Sequence, residues 1–313
     1  MTISEEKQKI IDELIRNRET LSQSSIKTYV SILFNLYKKV FENTNIEIAK
    51  FQQQNKFLKV LEKVKPTQRK TYLSALSVLC PNCEKYRTQM NNDAIEANSI
   101  RKQQVKTQKE TDNWVSQDDI LNKFNELEEN TNRLMRKKIL TISEIQEIQN
   151  YILLVLLTGK YIPIRRSLDW AEMKIKDYNP NEDNYLILKG RKPCFYFNKY
   201  KTIKTYGEQE ISINNELKSI LNNWIKILKR FCPNNIYLLI DSECGKLTSS
   251  KITHRLNKIF NKKTSVNILR HSFITSKYEN MPQLNNIIQE ANEMGHSLTE
   301  HLQYIKRDEE QKT

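Results

Sequence analysis

Three of the four histidines fall after residue 270, and two of them sit in short motifs with other reactive side chains. One motif is Leu269-Arg270-His271-Ser272-Phe273. The other is Met294-Gly295-His296-Ser297, followed eight residues later by Tyr304. A guanidinium can hold an oxyanion by forked, charge-assisted bonds, an imidazole moves protons near neutral pH, and a phenol can act as an oxygen nucleophile. Singly, each residue has an ordinary structural use, as a salt-bridging arginine or a core tyrosine, so the weight rests on their combination. Other chemistries lack their residues. Five glycines supply neither GxGxxG nor GxxxxGK[ST], and Cys244-Gly-Lys246 is not a phosphate loop. There is no HExxH, and Cys80-Pro-Asn-Cys83 is a lone CxxC without a second pair at zinc spacing. It reads as a helix end with two ordinary thiols, and Cys194, Cys232 and Cys244 carry no further signal.

The elements that must position these groups follow from apolar periodicity. From Ser24 apolar residues recur at three and four (Ile26, Tyr29, Val30, Leu33, Phe34, Tyr37, Val40, Phe41), with Ser24 or Ser25 as N-cap. Phe57 to Val64 forms a second, short helix, and Pro66-Thr67 opens a third through Tyr72, Leu73, Leu76 and Leu79. Residues 24–84 therefore read as a small helical module behind an N-terminal extension, 1–23. Apolar residues almost vanish over 85–112, a basic linker or a solvated helix. Order resumes at Trp114, and 113–313 reads as a second domain. Its segment Ile139–Leu157 is apolar on more than one face, which predicts a central buried helix. Tyr185–Leu188, Phe195–Phe197 and Ile211–Ile213 predict a small antiparallel sheet, with Gly207 at a turn, and Ile236–Ile240 is a further β-like run. Helices return from Ser249. The expected fold class is mostly α with a small antiparallel β-sheet.

The 313 residues carry 51 Lys+Arg against 37 Asp+Glu, a formal charge of +14. That charge is +7 in residues 1–112 and +7 in residues 113–313. A polyanion is the simplest partner for such an excess, because basic side chains gain affinity by releasing counterions from phosphates. The longest apolar run, Tyr151–Leu157, is far short of the roughly 20 residues that span a bilayer, so no membrane partner is expected. The first residues lack an apolar signal core and the cysteine count is odd, which points to a reducing, intracellular compartment.

Taken in order, the motifs resemble those of the tyrosine recombinases, or phage-type integrases. In that family an Arg precedes an acid by three, a Lys sits on a β-hairpin, a His-x-x-Arg box follows, then Leu-Gly-His, then the nucleophilic Tyr. Here Thr158-Gly159 closes the apolar helix and Arg166 is followed by Asp169, Met173 and Asp177 at the family's intervals, with Arg165 as the competing candidate. Pro163-Ile-Arg-Arg-Ser-Leu-Asp-Trp170 and Asn198-Lys-Tyr-Lys-Thr-Ile-Lys-Thr-Tyr-Gly207 are most similar to integrase-like proteins of large DNA viruses and virophages. The likeness runs from about Ser24 to Tyr304, and its helical part is similar to the family's core-binding (SAM-like) domain. Two departures stand out. Asn267 occupies the usual His of the His-x-x-Arg box, and the step from His296 to Tyr304 is one residue short.

The resemblance implies a mixed α/β catalytic domain and DNA cleavage through a covalent 3′-phosphotyrosine. Arg166 and Arg270 would hold the phosphate, as two guanidiniums can and lysines would not. His296 would hydrogen-bond it, Tyr304 would attack phosphorus, and Lys204, or Lys201, would protonate the leaving oxygen. Asn267 and neighbouring His271 are further candidates for catalysis or phosphate binding. Lys65, Arg69, Lys70, Lys192 and Lys199 are expected on the DNA backbone. The scheme needs no metal or cofactor. It implies double-stranded DNA as partner and four protomers assembled on two sites, in the cytoplasm or nucleus of a host cell or with a virion. Alternatives are DNA relaxation of the type IB topoisomerase kind, and an architectural DNA-binding protein in which Asn267 marks lost catalysis.

Overall fold

The computed structural model describes residues 5–295 and 297–303, without the side chains of Glu300 and Gln303. His296 and Tyr304 lie outside the described residues. The chain divides into two compact units, one of Met1–Val105 with Pro282–Thr313 and one of Lys106–Met281.

The first unit begins with α1 (Glu5–Asn17) and α2 (Gln23–Phe41). Residues 5–17 are no loose extension: Ile10 and Leu14 are fully buried in the unit's core, and Asn17 donates to the Leu79 carbonyl at 2.9 Å. The N-cap of α2 is Ser22 and not Ser24 or Ser25; its Oγ accepts from the Ser25 amide at 3.1 Å, which starts the helix earlier. Helix α3 (Gln54–Leu61) and α4 (Pro66–Leu79) follow, the latter opened by a proline that has no amide to leave unpaired. Tyr37, Phe41, Phe51 and Phe57 pack ring on ring between them. Of the two readings open for 85–112, most of the stretch takes the helical one, α5 (Glu84–Lys102), with Tyr86, Asp93 and Ala97 buried. Few apolar residues suffice because Asp93 is clasped by Arg69 of α4 at 2.7 and 2.8 Å, and Tyr86 donates to the Phe51 carbonyl at 2.7 Å.

The second unit opens with α6 (Gln108–Asn113) and α7 (Gln117–Leu134), each started by a capping box. Helix α8 (Ile142–Leu157) buries ten side chains and is the central helix that the sequence predicts. After α9 (Ser167–Ala171) come β1 (Met173–Lys174), β2 (Asn184–Ile187) and β3 (Cys194–Phe197), then α10 (Ile203–Tyr206) and β4 (Gln209–Ser212). The sheet order is β1-β2-β3-β4. Strands β2, β3 and β4 pair antiparallel, as their alternation predicts, and the two-residue β1 adds in parallel. The run 236–240 forms no strand of its own but bridges antiparallel to β1: Tyr237 faces Lys174, the Leu238 amide donates to the Met173 carbonyl at 2.9 Å and the Ile175 amide to the Ile236 carbonyl at 2.8 Å. Gln149 of α8 holds its end, donating to the Ile240 carbonyl and accepting from the Ile240 amide at 2.8 and 2.7 Å. Helices α11 (Asn215–Phe231), α12 (Ser249–Phe260) and α13 (Val266–Lys277) complete the unit. Two cysteines to which the sequence gives no role, Cys232 and Cys244, form a disulfide, because the end of α11 and the loop before α12 bring their Cα atoms to 5.7 Å.

The last helices, α14 (Leu284–Glu293) and α15 (Leu298–Gln303), belong to the first unit, where Gln104 accepts from the Leu284 amide at 2.8 Å. Among the described residues, no helix is long and apolar enough to cross a membrane, and no group of His, Cys, Asp and Glu could hold a metal ion.

Candidate active site

Helix α8 ends at Thr158, and Gly159 turns the chain with φ +79°. The chain then delivers Arg165 and Arg166 to the start of α9. These neighbours are used differently. Arg165 is largely buried: its Nε donates to Asp169 at 3.0 Å, another nitrogen donates to Gln209 on β4, and its guanidinium lies 3.8 Å from the Phe197 ring centroid. Arg166 is the N-cap residue of α9, half-buried, and its side chain makes no hydrogen bond or ion pair to any described residue. Asp169 is buried, which pushes its carboxyl above the usual range against the opposing pull of Arg165. Its Oδ1 has no partner among the described residues.

Arg270 comes from α13. That helix is fixed by buried Val266 and Leu269 and by Ser272, whose hydroxyl donates to the Val115 carbonyl at 2.6 Å. It also approaches the turn after α8 so closely that a Cβ on Gly159 would lie 2.3 Å from the Phe273 ring. Arg270 likewise pairs with no described residue. Burial pulls its pKa down, the nearby charge of Arg166 pulls it down further, Asp169 opposes and Arg165 adds. Asn267, three residues earlier and so on the same side of the helix, is exposed. His271 is exposed too and lies within electrostatic range of Glu110 on α6.

The lysine-bearing connection runs from β3 to β4 and contains α10. Asn184, fully buried at the head of β2, fixes its start. The Asn184 amide nitrogen donates to the carbonyls of Asp169 and Lys199, and its oxygen accepts from the amides of Asn198 and Lys199. One side chain thus ties the end of α9 to the connection, with all its bonding capacity used. Tyr200 closes the far side by donating to the Gly207 carbonyl at 2.6 Å. Lys201 and Lys204 are exposed on this frame, Lys204 within α10, and Lys192 is exposed in the β2–β3 turn. Lys199 is held 3.3 Å from Glu172, which also binds Lys246 at 2.7 Å.

In the first unit Lys65 is exposed and Lys70 half-buried, whereas Arg69 is committed to Asp93 inside the helical packing. The second unit therefore brings together Arg165, Arg166, Asp169 and Arg270, with Arg165 reaching β4 through Gln209, and carries the candidate lysines on the connections between strands. Sequence reasoning missed Asn184, Gln209 and Glu172. An asparagine after an aspartate reads as a turn, and nothing in the order of residues reveals that four backbone groups converge on it.

No family model matches the sequence, and no curated protein matches it. Solved structures do. A XerH site-specific recombinase bound to a palindromic difH substrate is 17% identical, over 94% of this chain and 84% of that one, with a TM-score of 0.49. A lambda integrase dimer bound to a COC′ core site is 13% identical over 98% and 80%, with a TM-score of 0.46. The XerA recombinase is 14% identical over 96% and 94%, with a TM-score of 0.35.

Proposed function

We propose that the chain is a site-specific DNA recombinase of the tyrosine type, an integrase of a virus or mobile element. The observation that carries this reading is the pair Arg166 and Arg270: two guanidiniums on different elements in each other's field, opposed by Asp169, which Arg165 already binds, and neither making a hydrogen bond or ion pair to a described residue. Cations held in each other's field and only partly offset by Asp169 cost free energy, which an arriving phosphodiester recovers by accepting their forked bonds. Arg165 is then the supporting residue, holding Asp169 and the sheet, and Arg166 the one that meets DNA.

In this reading Tyr304 attacks phosphorus and the bond to the 5′-oxygen breaks, leaving a 3′-phosphotyrosine. Lys204, or Lys201 on the same connection, gives the leaving oxygen its proton, and His296 hydrogen-bonds a phosphate oxygen. Attack by the freed 5′-hydroxyl of a second strand reverses the step, so the phosphodiester energy is kept. Two sites on duplex DNA would be joined by four protomers. Asn267 can donate a hydrogen bond to phosphate but cannot act as a base, which favours a second reading, DNA binding without cleavage.

A duplex carrying the target site, nicked beside the target phosphate, separates the two. Covalent protein–DNA adduct that disappears in Tyr304→Phe and in Arg270→Gln supports the recombinase. Tight binding without adduct on that site supports the second reading and overturns the first. Recombination of paired sites, as opposed to relaxation of supercoils, then tells integrase from topoisomerase.

A further inference from the structure

A cavity of about 400 Å³ opens between the first half of α8 and one face of α12. Side chains with polar or charged ends line it from both helices. From α12 come Lys251, His254, Arg255 and Lys258, spaced so that they share one face, and from α8 come Gln146 and Asn150.

Arg255 is the unusual member. One of its terminal nitrogens donates to both the Gln146 carbonyl at 3.3 Å and the Asn150 side-chain oxygen at 3.0 Å. Both acceptors are neutral, and the remaining donors, Nε and the second terminal nitrogen, bond no described residue. Burial pulls the pKa of this arginine down, and Asp241 is the one charge that opposes. Asp241 itself is spent on Lys251 at 2.9 Å and on the amides of Glu243 and Gly245. Glu147 lies at the rim and accepts from Asn130 at 3.0 Å. Behind the wall, the Gln146 Nε2 is buried with no hydrogen-bond partner among the described residues. The cavity thus lies against a guanidinium with a free edge, and the one charge that opposes it, Asp241, is shared with Lys251 and two amides. A group that is anionic, compact and rich in acceptors satisfies that free edge.

We propose that this cavity binds a phosphate group, with the free edge of Arg255 taking two phosphate oxygens and Lys258 a third. The site shares no residue with the Arg166 and Arg270 pair. The phosphate could be supplied by the DNA backbone or by a free nucleotide, and the two sources are separable by competition.

The full chain is titrated with inorganic phosphate at constant ionic strength, following the rise in melting temperature that a ligand of the native state produces. The titration is run in the Arg270→Gln background, so that the Arg166 and Arg270 pair does not contribute, and a saturable rise with a definite apparent affinity is expected to remain. Arg255→Gln is expected to weaken it by about tenfold or more, as loss of a forked, charge-assisted contact does. If Arg255→Gln does not fold, exposed Lys258→Ala decides, with a several-fold loss expected. No phosphate-dependent rise in the Arg270→Gln background, or equal affinity in the Arg255 and Lys258 variants, overturns the proposal. In the Arg270→Gln background, competition by a short duplex identifies a backbone phosphate, and competition by adenosine monophosphate alone identifies a nucleotide.

Discussion

Adjacent residues of the same type do opposite work here. Arg165 faces inward to Asp169, Gln209 and the Phe197 ring, whereas the side chain of Arg166, one position later, bonds no described residue. Arg165→Ala should therefore strand a buried carboxylate and cost about 3 kcal/mol or more in urea unfolding, while Arg166→Ala should stay within about 0.5 kcal/mol of wild type. Equal losses would mean that the two roles are misassigned. Arg69 shows the same logic in the other unit. Expected from sequence on DNA, it instead neutralises Asp93, whose pKa is lowered because Arg69 and Gln89 outweigh the burial that would raise it. Arg69→Ala should destabilise by about 3–5 kcal/mol, and Lys65→Ala, at an exposed position, should not. Chemical denaturation of the two variants checks both statements.

At the scale of elements, the pair Arg166 and Arg270 depends on how closely α13 approaches the turn after α8. Gly159 permits it by having φ +79° and no Cβ where the Phe273 ring sits. Gly159→Ala should cost at least about 2 kcal/mol, from left-handed backbone strain plus the clash. Adding Phe273→Ala should relieve the clash alone, so the double variant should lose less than the two single losses summed; strict additivity would sink this account. The start of α8 makes a pH-dependent contribution. Hydrogen bonding from Lys137, and then from the Thr141 amide, holds Glu144 down at about 2. A depressed carboxylate stabilises the fold above its unfolded pKa, near 4.5, and that contribution is lost as pH falls from there towards 2. The melting temperature of Glu144→Gln should accordingly approach that of wild type on acidification through this window, and a constant gap would refute the capping role.

For the whole molecule, the +14 charge gives the proposal a measurable signature. Affinity for duplex DNA should fall steeply with salt, by about 0.9 in log K per phosphate contacted for each tenfold rise. Fluorescence anisotropy at several salt concentrations reads that slope, and a value near zero would remove polyanion binding as the meaning of the charge. Both units share in the excess, and the second also holds the Arg166 and Arg270 pair. The slope should therefore shrink by about one contact in each of Arg166→Gln and Arg270→Gln.

Sequence alone determined the helical classes, the three antiparallel strands, the buried central helix and the order of the candidate catalytic residues. The elements follow from periodicity, a local property of the chain, and the order of the candidate residues from the resemblance of their motifs to those of a known family. The tertiary structure decided what depends on distant partners. It separated Arg165 from Arg166 by giving one a carboxylate, an amide and an aromatic ring. It decided between linker and helix for a stretch of low apolar content, where α5 is held down by the Arg69 and Asp93 pair and by Tyr86. It joined Cys232 to Cys244 and made Asn184 the tie between α9 and the lysine-bearing connection. In each case a polar side chain is defined by the charge and hydrogen-bonding groups that folding brings to it, and no local pattern records their arrival.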